Sequence, residues 1–302
     1  MEIKELKILL DEFGDSVNFE HDLKKKNWFN IGGKSKVFYK ANNLKELVNF
    51  LKKLDNKEKI FILGAGSNTL ITDNMFDGVV IKLSKNFNNV SLLKEDIIIA
   101  GSAVLDKTIS EFAINNNLSG FEFLSCIPGT IGGGIRMNAG CFGKEIKDIL
   151  LSIQAIDKLG NLVTIPSKDI KFEYRKNDLS SELIFLSASF KGVKGEALKI
   201  KNETIRLKAE KEKNQPTKIK TSGSTFKNPI SQTKKKVWEL IKESVSLDQS
   251  FGDACISHKH CNFFVNKGNA TFEDMSKLID FVSKKVLEKT GISLEKEIKI
   301  LE

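Results

Sequence analysis

Phe61-Ile62-Leu63-Gly64-Ala65-Gly66-Ser67-Asn68-Thr69-Leu70 is the stretch whose reading decides the fold. Phe61 to Leu63 form a short apolar run, the length of a buried strand. Two glycines then let the main chain turn sharply and bring its N–H groups close to a ligand. Successive N–H groups in such a turn make a concavity suited to anions. Taken alone, it is also what any tight turn after a core strand looks like. It misses two nucleotide templates: no third glycine stands at the dinucleotide-fold spacing, and no Gly-Lys-Ser/Thr follows. The rest of the chain has to decide.

Upstream, Leu6, Leu9, Leu10 and Phe13 have helical spacing. Asn27 to Gly33 reads as a strand and tight turn. Asn43 caps a helix with Glu46 three residues on, and Leu44, Leu47, Val48, Leu51 and Leu54 line its apolar face. Residues 36–63 therefore read as strand, helix, strand, a βαβ-like unit with the Gly64–Asn68 loop at its end. Strands follow at 79–83 and 97–100, then a helix carrying Leu105, Ile109, Phe112 and Ala113. Residues 120–143 hold seven glycines among Ile, Leu, Phe and Met. Flexible glycine linkers are polar, so this run reads as a buried loop whose backbone lies against a flat ligand.

Strands at 149–157 and 161–165 flank a hairpin turn at Asp157–Asn161, and a core strand covers 183–190. Residues 196–213 are helical and highly charged, and 221–229 is a loop. A helix around 234–244 and a strand at 262–266 precede a long helix that starts at the Thr271/Asp274 capping pair and stops at Gly291. A strand over 294–300 closes the chain.

The 302 residues are 40% hydrophobic and 29% charged, an ordinary globular composition long enough for two or three domains. The net charge of +9 is spread over amphipathic faces, as at Lys45, Lys52, Lys53, Lys284 and Lys285, which reads as solvated helix surface. A nucleotide- or RNA-binding module is the weakest reading, and salt-sensitive binding would reveal it. Cys126, Cys141, Cys255 and Cys261 have no zinc-ligand spacing and read as reduced thiols of a cytosolic protein. Residues 1–20 lack a signal peptide's apolar core, and no run approaches the roughly 20 apolar residues of a membrane span.

Some residues could do chemistry. Arg175, after Tyr174, is either a surface ion pair or a rigid clamp for carboxylate or phosphate. Ser224 lies outside any Gly-x-Ser-x-Gly elbow, so an acyl nucleophile is not expected, while a proton-donating hydroxyl stays open. Lys227 and Asn228 suit an anionic, polar substrate. Glu297 alternates with Glu295, a pattern that a solvent-facing strand also gives. His258 and His260 could ligate metal but lack partners, and read as structural.

Together these stretches resemble the UDP-N-acetylenolpyruvoylglucosamine reductase family. The carriers, in order, are Phe29-Asn30-Ile31-Gly32-Gly33, Gly64-Ala65-Gly66-Ser67-Asn68, Phe123 to Gly133 with Ile127-Pro128-Gly129-Thr130-Ile131-Gly132-Gly133, Met137-Asn138-Ala139-Gly140, Tyr174-Arg175, Gly223 to Pro229, Gly268 to Thr271, and Leu294 to Glu297. The resemblance implies an α+β protein. A two-part FAD-binding region of the vanillyl-alcohol-oxidase (PCMH) type covers 1–194, with subdomains at roughly 20–85 and 86–194 after an N-terminal helix. A C-terminal α+β substrate-binding domain covers 195–302.

It further implies NADPH-driven, FAD-dependent reduction of an enolpyruvyl ether of UDP-N-acetylglucosamine to UDP-N-acetylmuramate. FAD is the bound cofactor and NADPH the co-substrate, with no nucleic-acid, membrane or obligate protein partner. Residues matching the cofactor-binding motifs are Gly64, Ala65, Gly66, Ser67, Asn68, Pro128, Gly129, Thr130, Ile131, Gly132, Gly133 and Gly140. Arg175, Ser224 and Glu297 match the catalytic set, Ser224 as proton donor and Glu297 with a carboxyl pKa raised by burial. Tyr174, Lys227 and Asn228 match substrate contacts. Phe142, Lys296, Lys299 and Cys141 depart from the family's usual Tyr, Pro, Arg and Ala, and the short span from Arg175 to Ser224 matches the class lacking a substrate-covering insertion. The alternative is an oxidase of a different alcohol on the same FAD-binding scaffold.

Overall fold

The computed structural model describes the chain over residues 3–54 and 57–302. Cα packing divides it into two compact units. The first comprises residues 1–19, 37–65 and 78–211; the second comprises 20–36, 66–77 and 212–302.

In the first unit, helix α1 (Ile3–Phe13) has the expected span. Its Leu9 is buried and Leu10 exposed, while the side chain of Leu6 lies outside the described residues. Helix α2 (Leu44–Lys53) starts as its sequence dictates: the Asn43 side chain accepts the Glu46 N–H at 2.9 Å. Leu47, Phe50 and Leu51 are buried against Tyr39, Val79 and Ile81, and the Tyr39 and Phe50 rings stack with centroids 3.7 Å apart. This core backs a four-stranded sheet ordered Val17–Asp22, Lys34–Ala41, Phe76–Leu83, Ile60–Ile62. The strand leading into Gly64 pairs in parallel with Phe76–Leu83, so the βαβ-like unit skips one strand.

A second core lies on a five-stranded antiparallel sheet ordered Leu162–Pro166, Leu150–Ile156, Ile184–Lys191, Ile97–Gly101, Val90–Leu93. The last of these strands was not anticipated. Helix α3 (Asp106–Asn115) buries Ile109 and Ala113 in that core. The glycine-rich run departs from expectation: within it are a 3₁₀ turn at Glu122–Cys126 and helix α4 (Ile131–Met137). Helix α4 ends on Asn138 in the left-handed conformation, φ 42°. Helix α5 (Ala197–Asn214) carries the charged stretch.

The second unit has its own core. Helices α6 (Val237–Ser244) and α7 (Phe272–Thr290) bury Leu240, Ile241, Met275, Leu278, Ile279 and Val282. They pack with a three-stranded antiparallel sheet, Ser250–Phe251, Ala254–Ile256 and Phe264–Asn266. Helix α7 has the full capping box and the left-handed Gly291 stop, φ 71°. Two expectations fail here. Residues 27–33 form no strand, although Phe29 and Ile31 are buried. The closing strand is only Lys299–Leu301, pairing in parallel with Thr69–Ile71.

Candidate active site

In the first unit the two loops singled out from the sequence meet. Gly64 follows the Leu63 N–H bond to Ile81 O, and its own carbonyl accepts Lys82 Nζ at 2.9 Å. A Cβ on Gly64 would stand 2.7 Å from Thr130 Oγ1, so the strand end lies directly against the second loop and a larger residue would have to displace the Thr130 hydroxyl. Gly132 is similarly close to Ser102, with a built Cβ 3.1 Å from its Cβ, and the Gly132 N–H donates to Ser102 O. Gly133, in contrast, is exposed, and a Cβ there would meet nothing nearer than Thr130 Oγ1 at 3.6 Å. A bare peptide surface flanked by closely packed glycines fits the flat, large FAD molecule.

Arg175 sits at the tip of a two-residue turn between Phe172–Glu173 and Lys176–Asn177, with φ 59°. A non-glycine residue pays strain in that region, and surrounding contacts hold it there. Its guanidinium donates to Gly140 O at 2.7 Å, lies 3.8 Å from Glu145 Oε1 and stacks 4.9 Å over the Tyr174 ring. Gly140 must be glycine, since a Cβ would lie 2.2 Å from Lys144 O. The expected cofactor residue and the expected clamp are thus joined by one hydrogen bond.

In the second unit the rest of the candidate set converges. Gly66 has φ 68°, and a Cβ there would be 2.1 Å from Lys26 O. Asn68 Nδ2 donates to Glu297 O at 3.0 Å, and Asn68 O accepts the Lys299 N–H. The Glu297 N–H donates to Thr225 O at 2.8 Å, which puts Glu297 beside the residue following Ser224. Ser224 itself bridges to Phe263, and Asn262 clamps the next turn by bonding both Phe226 N–H and Phe226 O. Ser224 and Glu297 are both half-buried. Lys227 is buried with its ammonium 2.5 Å from Glu295 Oε1. Asn228 Oδ1 accepts the Val237 N–H, which starts α6.

Comparisons with known proteins identify the family. Residues 215–301 match the family described as UDP-N-acetylenolpyruvoylglucosamine reductase, C-terminal domain, and residues 35–166 match the FAD binding domain family. A UDP-N-acetylenolpyruvoylglucosamine reductase from Pelagibacter ubique is 66% identical over 301 residues, covering 100% of both chains. One from Rickettsia typhi is 43% identical, covering 93% of this chain and 94% of its own. The chain belongs to the UDP-N-acetylenolpyruvoylglucosamine reductase family. A crystal structure of the Thermus caldophilus reductase superposes with TM-score 0.80 at 26% identity, covering 95% of this chain and 98% of that one. The fold is accordingly α+β, with an N-terminal FAD-binding region and the C-terminal domain of this reductase family.

The structure also gives positions to residues outside the expected site set. Lys82 holds the Gly64 carbonyl. Asn138 ties α4 to Glu145 Oε2 and Glu173 O, both at 3.0 Å. It lies in Met137-Asn138-Ala139-Gly140, so its motif was visible but its role was not. Asn262 had no signal at all. His258 is exposed and 3.4 Å from Asp248, and His260 packs on Phe263, with its imidazole pKa lowered by burial.

Proposed function

We propose that this protein catalyses the FAD-dependent, NADPH-driven reduction of the enolpyruvyl ether of UDP-N-acetylglucosamine, giving UDP-N-acetylmuramate for peptidoglycan precursor synthesis. FAD, when bound, supplies the hydride chemistry, and the protein supplies position and electrostatics. Gly64, Ala65, Gly66, Ser67, Asn68, Pro128, Gly129, Thr130, Ile131, Gly132, Gly133 and Gly140 hold it. Residues 1–194 serve as the cofactor region and 195–302 as the substrate domain, a functional division distinct from the two packing units.

Reduction of the vinyl group builds negative charge into the substrate carboxylate. Donors already in place at that charge are the largest catalytic contribution. Arg175 and a protonated Glu297 fill that role, and the Ser224 hydroxyl delivers the proton to the adjacent carbon. Tyr174, Lys227 and Asn228 face the substrate.

The observation that carries this reading is the ladder linking Asn68 to Glu297 and Glu297 to Thr225. The Asn68 side-chain amide bonds the Glu297 carbonyl, and the Glu297 N–H bonds the peptide beside Ser224, which supports the rigid backing that a reacting constellation needs. The test is direct. The purified protein should be yellow or take up FAD, and it should turn over NADPH continuously only when the UDP-enolpyruvyl sugar is present. A colourless protein that ignores FAD sinks the proposal. Rapid oxygen reduction with a simple alcohol, and none with the UDP-sugar, favours the oxidase.

A further inference from the structure

Beneath the Gly129–Gly134 segment lies an acid that the proposed chemistry does not use. Asp106 is fully buried, and among the described residues neither of its carboxyl oxygens has a hydrogen-bond partner. The hydroxyls of Ser102, against Gly132, and of Ser110, one helical turn further along α3, are buried without partners as well. The Asp106 N–H donates to Gly129 O at 3.1 Å. Its carboxyl group occupies the space that two side chains would otherwise take: a Cβ on Gly129 would be 2.6 Å from Oδ2, and one on Gly134 3.3 Å from Oδ1. The acid thus underlies both ends of the glycine segment.

Among the described residues no cation pairs with it. On α3, Lys107 and Glu111 are exposed. On the Glu122–Cys126 turn, Glu122 accepts the Gly120 N–H. On α4, Arg136 is committed to the carbonyls of Ser180 and Leu183. Next to Ile146, whose side chain touches Gly134, Lys147 pairs with Glu145. An isolated carboxylate without hydrogen bonds is the most costly state for such a site, and burial alone pushes this carboxyl up to about 8.

We propose that Asp106 is a positioning residue: as a neutral acid it seats the Gly129–Gly134 segment for FAD, and its ionisation weakens FAD binding. This rests on reading the segment as part of the cofactor site. The coupling is reciprocal. The negative diphosphate of FAD disfavours an ionised Asp106, so an ionised Asp106 disfavours FAD.

Two measurements test it. FAD affinity is titrated by flavin fluorescence from pH 6 to about 9.5, with circular dichroism confirming the fold of each variant. In the wild type, affinity should hold to about pH 8 and then fall by up to tenfold per pH unit. Asp106→Asn, a neutral isostere, should match the wild type at pH 7 within about twofold and stay level above it, whereas Asp106→Ala, which empties the space, should bind more weakly throughout. The second measurement is carbon NMR of the aspartate carboxyls in cofactor-free protein, where one should titrate near pH 8 and vanish in Asp106→Asn. Parallel pH profiles for wild type and Asp106→Asn, or a folded Asp106→Asn that loses FAD at pH 7, overturn the proposal. If no form binds FAD at any pH, the cofactor reading falls and the proposal with it. The NMR titration then still reports whether the buried acid itself is as described.

Discussion

Ser224 is the residue whose role can be separated most cleanly from its structural work. It is half-buried, and its neighbours Thr225 and Phe226 carry the bonds to Glu297 and Asn262. Ser224→Ala should therefore fold normally and accept electrons from NADPH at the wild-type rate, yet reduce the UDP-sugar about 10²–10⁴-fold more slowly, the usual contribution of a placed acid. Stopped-flow of the two half-reactions reads this, and equal loss in both removes Ser224 from the proton-donor role. Asp106 makes a separate prediction about stability. Its folded pKa, about 8, lies above the ordinary carboxyl value near 4. Between those values the folded state binds more protons than the unfolded one, so stability falls as pH rises and levels off above about 8. Asp106→Asn removes that slope. Its melting temperature relative to wild type should climb steadily from pH 4 to 8, and a constant offset would show that the acid is not buried neutral.

At the scale of elements, legibility followed how local the determinants are. Helix α7 was readable in full because cap, apolar face and stop all lie within its own sequence. Thr271→Ala should lower unfolding free energy by about 1 kcal/mol, and Leu278→Ala by about 2–5 kcal/mol, in urea titrations. Helix α4 was missed because Ile-Gly-Gly-Gly has poor intrinsic helix propensity. Distant carbonyls overrule it: the N–H groups of Ile131 and Gly132 bond to Val104 O and Ser102 O. Leu294 to Ile298 alternates like a strand but pairs like one at a single position, an isolated antiparallel bridge from Lys296 to Phe226 flanked by the Lys227 N–H bond to Glu295 O and the Glu297 N–H bond to Thr225 O. The site divides the same way. Gly64, Gly66 and Gly140 were legible only through the motifs that carry the family resemblance, and the reason for them, close approach of other chain segments, came from the fold. Asp106 and Asn262 were not legible, since nothing in a linear sequence says that an aspartate faces two glycine peptides instead of water. Gly66 makes the element-scale point testable. With φ 68° and a backbone carbonyl 2.1 Å from the would-be Cβ, Gly66→Ala should cost more than about 1 kcal/mol and lower FAD occupancy.

Over the whole molecule, stability resides in three separate apolar clusters, two in the first unit and one in the second. The candidate cofactor residues belong to none of them apart from Ile131, and are mostly glycine loops with part of their surface exposed. Exposed segments open at lower free energy than cores do, so a bound cofactor should stabilise these most. A ligand that binds only the native state adds about 2.7 kcal/mol of stability at a free concentration of a hundred times its Kd. FAD added to stripped protein should raise the unfolding free energy by that amount, with the gain growing logarithmically as FAD is increased. The accompanying hydrogen-exchange protection should concentrate at residues 64–68 and 128–133, the segments that bound FAD would cover. Core strands such as Ile184–Lys191 should gain only through the global term. Protection that rises at the cores while both loops stay unchanged would mean that FAD binds elsewhere, and the assignment of the two glycine loops would have to be withdrawn.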